Sequence, residues 1–181
     1  VAKQFDKIEQ AHSEFIKKQH VFFVASAGKD GFVSLSPKGM DTFRVTGPNS
    51  IVWLNLTGSG NETSVNVQEN CRMTVMFCSF DKEPLVLRLY GTAQVLHQRD
   101  SEWPGLIKMF PSYTGARQIF KMNVQLVLTS CGYAVPLMEF KGERDLLTKW
   151  TDARGRDSIE KYWREKNTVS LDGRPTNIVK D

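Results

Sequence analysis

The stretch from Phe32 to Phe77, FVSLSPKGMDTFRVTGPNSIVWLNLTGSGNETSVNVQENCRMTVMF, reads as strand, turn, strand, turn, strand, polar loop, short helix, strand. Phe32, Val33 and Leu35 mark the first strand, Ile51 to Leu54 a later one, and Met73, Val75, Met76 and Phe77 the last. The loop after the IVWLNL strand carries Gly58 and Gly60, which can take backbone angles closed to other residues and let a chain turn tightly around a ligand. Ser59, Asn61, Thr63 and Ser64 add small polar groups. Asn61 is placed to cap a helix over roughly 62–69, and the free amides of a helix start form an anion site. Lys38 in SPKG and Arg44 in DTFRV are expected to bring positive charge to the same place.

Working outward, FDKIEQAHSEFIKKQ reads as a helix with Phe5, Ile8, Phe15 and Ile16 on one face. His12 lies beside that face as a surface or packing residue, because nothing pairs with it at metal spacing. HVFFVASA is a strand, and GKDG turns it into FVSLS. Pro37 cannot donate to a ladder, so SPKG marks a strand end or bulge.

Downstream, PLVLRLYGTAQVL alternates cleanly, and Gly91 inside it signals a bulge or a barrel bend. Arg88 on that strand calls for an anion or carboxylate partner. DSEWPGLIKMFPSYTGARQIFKM reads as a connection with a short helix over about 102–110, and Tyr113, Arg117 and Gln118 are candidates to face a cleft or a second subunit. NVQLVLTS is the last strand, and Pro136 in the following CGYAVPLMEF ends regular pairing. Two helices split at Gly155 follow; their apolar groups, Leu146, Leu147 and Trp150, then Ile159, Tyr162 and Trp163, suit core or dimer packing.

A chain of 181 residues with 40% hydrophobic and 24% charged residues is one ordinary globular domain that can bury a core. We expect the sheet core over about 19–137 and a helical tail over about 143–181. No apolar run approaches the roughly 20 residues of a membrane span, and VAKQFDKIEQAHSEF has no apolar signal core, so a cytoplasmic location is expected. The net charge of +4 comes from basic residues interspersed with acids, which argues against nucleic-acid binding. Cys71, Cys78 and Cys131 lack paired zinc spacing and are expected as buried or half-buried thiols. No metal site is expected.

Hydrolytic triads are unsupported, because His12, His20 and His97 are scattered with no nucleophile elbow. GSGNET lacks the Gly-Lys-Ser/Thr ending of a phosphate-binding Walker loop. No catalytic set is identifiable, so any redox chemistry would have to be carried by a cofactor. Six or seven short strands with flanking helices make a mainly β protein, a small antiparallel barrel.

SPKGMDTFRV, WLNLTGSGNET, ENCRMTVMF and LRLYG, in this order, resemble the pyridoxamine 5'-phosphate oxidase-related family of flavin-mononucleotide-binding split barrels. The resemblance runs from about Gln19 to about Val95, with a weaker continuation through SCGYAVP and the tail. It implies a six- to seven-stranded antiparallel split β-barrel that binds FMN, a homodimer with the flavin site at the interface, and an oxidoreductase served by a small-molecule electron donor or substrate. It carries cofactor roles onto Lys38, Leu56 and Thr57, with Ser59, Asn61, Thr63 and Arg44 available for the phosphate. Arg88, Arg117, Ser130 and Cys131, with Gly132 and Tyr133, are expected to complete the site from the other chain.

Two departures stand out. Glu62 and Thr63 fall where the vitamin-salvage oxidases carry an Arg-Lys pair for the phosphate. Those enzymes also end in an Arg-x-His segment, whereas this chain ends DGRPTNIVKD with no histidine after His97, so activity on pyridoxamine phosphate is not expected. The alternatives are a non-catalytic flavin carrier, or a deazaflavin- or haem-binding member of the same fold.

Overall fold

A computed structural model describes residues 2–179. It contains β1 (Lys3–Phe5), α1 (Gln10–Lys17), β2 (Phe22–Ser26), β3 (Ser34–Lys38), β4 (Phe43–Gly47), β5 (Ser50–Leu56), α2 (Glu62–Asn70), β6 (Arg72–Cys78), β7 (Val86–His97), α3 (Trp103–Leu106), β8 (Ala116–Ser130) and α4 (Leu146–Lys166). A single 3₁₀ turn, Ile107–Met109, extends α3. The eight strands form one antiparallel sheet in the order β3-β2-β6-β7-β8-β5-β4, with β1 also pairing to β8. The path ends at β3 and β4, which do not pair with each other, so the barrel is open on that side.

Burial explains the apolar runs. On β5, Ile51 and Trp53 enter the main core, while Val52 and Leu54 enter a second core with Leu96, Phe110 and Ile119. Both faces of the strand are buried, so its sequence is a continuous apolar run and not an alternation. Trp53 stacks on Phe120 at 4.4 Å, and Phe22, Phe43 and Phe77 meet in tilted and edge-on pairs. Each such buried ring or aliphatic chain contributes about 1.5–3 kcal/mol by leaving water.

Gly91 forms the expected bulge in β7. The register slips between Tyr90↔Leu126 and Gly91↔Val124, and a Cβ there would lie 1.9 Å from the Asn123 carbonyl oxygen. Gly155 has φ 73° and ψ 167° inside α4, which divides it where two helices were expected. The helix expected over roughly 62–69 forms as Glu62–Asn70.

Four expectations change. The expected N-terminal helix, FDKIEQAHSEFIKKQ, forms only over Gln10–Lys17, and its first residue, Phe5, belongs to a short strand in which Lys3, Gln4 and Phe5 pair with Thr129, Leu128 and Val127. The core therefore reaches back beyond residue 19, with Ile8 and Ile16 in the main cluster. The β2–β3 connection is longer than a tight GKDG hairpin, and Phe32 and Val33 lie outside the strand and exposed. The final strand begins at Ala116, seven residues before NVQLVLTS. Cys78 is buried, but Cys71 and Cys131 are exposed. His12 is a packing residue: it sits edge-on to Phe5 at 4.5 Å, and its Nδ1 accepts the Glu9 amide.

Candidate functional site

A cleft of about 360 Å³ opens on the split side of the barrel. Its walls are β3 and the link to β4, the end of β5, the loop 57–61, the start of α2, Arg117 and Leu147. The volume falls at the lower end of small-molecule pockets.

Two cations face this cleft. Lys38, at the end of β3, holds its Nζ 5.5 Å from the centre of the Trp53 ring. Burial, and then the nearby Arg117 charge, lower its pKa from 10.5 to about 8. Arg117 arrives through a fault in the β5–β8 ladder. Asn55 pairs with Gln118 and Leu56 with Ala116, which leaves Arg117 as the unpaired residue of a bulge, a device that re-aims a side chain.

Arg117 is 3% exposed. One terminal nitrogen donates to Asn167 Oδ1 at 2.8 Å and more weakly to the Gly58 carbonyl at 3.4 Å, while its Nε has no partner. Burial pushes its pKa down to about 10, so it stays charged at neutral pH. Neither cation forms an ion pair with a carboxylate among the described residues. An isolated buried charge costs several kcal/mol, and an anion placed beside it offsets that cost.

The start of α2 lies in the same cleft. Asn61 occupies the N-cap position, but its side chain makes no cap hydrogen bond. It is 3% exposed, and both its Nδ2 and its Oδ1 lack partners. A buried carboxamide left open in both donor and acceptor is what a polar ligand would complete. Glu62, one of the two residues that depart from the Arg-Lys pair of the salvage oxidases, directs Oε2 to the backbone N–H of Leu171 at 3.0 Å. Gly58 and Gly60 do not take the positive φ expected of them; instead, a Cβ at Gly58 would meet nothing within 4 Å, which keeps that rim open.

Of the sequence-derived candidates, Lys38, Leu56, Thr57, Ser59, Asn61, Thr63 and Arg117 line this cleft. Arg117 does so beside Lys38 of its own chain, which corrects the expectation that it reaches the site from a second chain. Arg44 does not join them: it pairs with Asp41, donates from Nε to the Met109 carbonyl at 2.8 Å, and lies over the Phe110 ring. Arg88 and Ser130 meet each other at 3.2 Å elsewhere on the sheet, and Arg88 has no carboxylate partner among the described residues. Exposed Cys131 and Tyr133 follow them.

Two residues of the site, Trp163 and Asn167, escaped sequence reading as site residues. Trp163 Nε1 donates to Thr57 Oγ1 at 2.9 Å, and Asn167 Nδ2 donates to the carbonyls of Gly58 and Ser59. Gln118, which the sequence did offer as a cleft candidate, is fully buried and donates to Ser64 Oγ while accepting from Asn55. No local signal in WREKNTV points to a cleft, because these contacts span more than a hundred residues.

The sequence pattern of the family described as pyridoxamine 5'-phosphate oxidase matches residues 8–131. The chain belongs to this family. A pyridoxamine 5'-phosphate oxidase family protein of Aspergillus flavus, ustO, is 32% identical over 189 aligned positions, covering 94% of this chain and 76% of that one. A Lactobacillus delbrueckii structure named for pyridoxamine 5'-phosphate oxidase superposes with a TM-score of 0.56 at 19% identity, covering 68% of this chain and 94% of its own. HupZ of Group A Streptococcus superposes at 0.52 and 17% identity, covering 66% and 91%. At such identities the structures speak for the split-barrel fold alone. The family match ends at residue 131, so α4 and the tail that reach the cleft lie beyond it. Among the described residues no helix is long and apolar enough to cross a membrane, and no cluster of three metal-ligating side chains occurs.

Proposed function

We infer that this pyridoxamine 5'-phosphate oxidase family member binds FMN in the cleft and works as an FMN-dependent oxidoreductase. The observation that carries the reading is the pairing of Arg117, buried without a carboxylate, with the unpartnered amide of Asn61 in one cavity. A phosphate monoester matches that set. Its charge satisfies Arg117 and Lys38, and its oxygens accept from Asn61, Thr63 and the first amides of α2. Lys38, poised over Trp53, and the small side chains of Ser59 and Thr57 leave room for the rest of the ligand. FMN, when bound, supplies the redox chemistry, and the chain's own residues bind, orient and shield it.

The reading includes a homodimer in which Arg88, Ser130 and Cys131 of the second chain complete the site. Exposed Phe32, Leu35, Tyr133 and Leu137 are large apolar side chains that a second copy of the chain would cover. Gel filtration after incubation with FMN, read by absorption along the peak, tests both parts. Flavin absorption co-eluting with protein at the mass of two chains is the expected result, followed by bleaching with NADH or NADPH. Colourless protein overturns the cofactor assignment, and coloured protein at the mass of one chain overturns the dimer.

A further inference from the structure

The cleft's anion end is not built by the barrel alone. Asn167, at the C-cap of α4, is fully buried, and each of its side-chain bonds goes to the cleft. Nδ2 donates to the Gly58 carbonyl at 3.0 Å and the Ser59 carbonyl at 3.2 Å, and Oδ1 accepts from Arg117 at 2.8 Å. One amide thus fixes the loop 57–61 and the guanidinium that faces the ligand. Its own backbone is held in turn, because its carbonyl accepts the Thr176 hydroxyl and the Thr176 carbonyl accepts from Ser64 Oγ and Gln68 Nε2 on α2. Loop, helix and tail form a closed circuit around Asn167.

We propose that Asn167 is a positioning residue for phosphate recognition: it holds Arg117 charged and aimed into the cleft, making the tail part of the ligand site. The chemistry favours an amide here over a carboxylate. Asparagine accepts from the guanidinium without neutralising it, so the positive charge remains available to a ligand anion. An aspartate would form an internal ion pair and compete with that anion, and it would also lose the two donations to the loop. The proposal rests on the FMN reading for its ligand, and not for its effect on Arg117.

The test uses the full chain and the variants Asn167→Asp, Asn167→Ala and Asn167→Ser. FMN and riboflavin affinities are measured by fluorescence quenching, beside the ¹⁵N–¹H spectrum of the arginine Nε groups. In Asn167→Asp, FMN affinity should fall at least tenfold while riboflavin affinity changes less than twofold. A merely structural residue would weaken both flavins alike, and that outcome overturns the proposal, as does no change in either. Wild-type protein that binds neither flavin overturns the FMN reading instead. The Arg117 Nε–H then decides the positioning claim by itself: a single sharp signal in the wild type that is lost in Asn167→Ala supports it, and a signal unchanged in all three variants overturns it. Asn167→Ser, the smallest change that keeps an acceptor, serves if the other two do not fold.

Discussion

The two walls of the cleft are held by different physics. On the sheet side, β5 lies against β8 from Ser50↔Asn123 to Leu56↔Ala116, and Trp53, Leu54, Ile119 and Phe120 are at most 1% exposed. On the other side, the loop 57–61 touches the sheet at Thr57, whose amide and hydroxyl both donate to the Gly115 carbonyl. Trp163 donates to that same hydroxyl, and beyond Thr57 the loop is tied by Asn167 and Arg117 at the Gly58 and Ser59 carbonyls and by the Ser64 amide at the Asn61 carbonyl. The first wall is a backbone ladder over a filled core. The second is a set of single hydrogen bonds from far along the chain, each worth about 1 kcal/mol net. A rigid wall and a separately tied wall can be altered independently, and substitutions can show whether they are.

The largest effect is expected at Gly91. In Gly91→Ala the added methyl meets the backbone oxygen of Asn123, which cannot rotate away, so the β7–β8 bulge must move. The expected destabilisation is about 3 kcal/mol in urea denaturation. Gly58→Ala sits on the other wall, where a Cβ has open space and φ is not positive, and it should change stability by less than about 0.5 kcal/mol. A loss at Gly58 as large as that at Gly91 would mean that the rim at Gly58 is packed and not open.

Arg117→Met separates stability from binding. It removes a lone buried charge and keeps much of the side-chain volume, so the urea midpoint should hold or rise, within about 1 kcal/mol of wild type. FMN affinity should fall by ten- to a hundredfold, about 1.5–3 kcal/mol for a lost charged hydrogen bond. A loss of about 3 kcal/mol in stability with FMN affinity intact would make Arg117 a structural residue of the bulge.

The same contrast explains what could be read in advance. The IVWL run, the alternation of PLVLRLYG and the helix after GSGN are local patterns, and they give the barrel and half the cleft. Lys38, Leu56, Thr57, Ser59, Asn61 and Thr63 sit within 26 residues of sequence, so one motif carries them together. ARQIFKM hides as a strand because Arg117 and Gln118 are buried polar residues, and burial of a charge runs against the period that marks a strand. Lys3–Phe5 is too short and too polar to signal a strand. Asn167 carries no local signal, since it looks like any polar residue at a helix end. Arg44 misled for the opposite reason: its position beside SPKG suggested a shared site, but Asp41, three residues earlier, already holds it.

The most gradual effect concerns pH, and it tests whether Lys38 shares the ligand with Arg117. Lys38 loses its proton near pH 8 in the free protein, well below the 10.5 of an unperturbed lysine. The unfolded chain therefore binds more protons than the folded one between about pH 8 and 10.5, and this group's contribution makes the free protein more stable as pH rises through that window. Ligand binding runs the other way. A phosphate beside Lys38 favours the ammonium, so binding above pH 8 takes up a proton and weakens as pH rises, by up to tenfold per unit. Below about pH 6 the ligand phosphate itself loses charge. FMN affinity should then be highest between about pH 6 and 8 and fall on both sides, while riboflavin, with no phosphate, should show neither limb. In Lys38→Met the alkaline limb should vanish while the acid limb stays, because the latter belongs to the ligand. An alkaline limb that survives in Lys38→Met would assign it to another group and leave Arg117 as the cation that meets the phosphate.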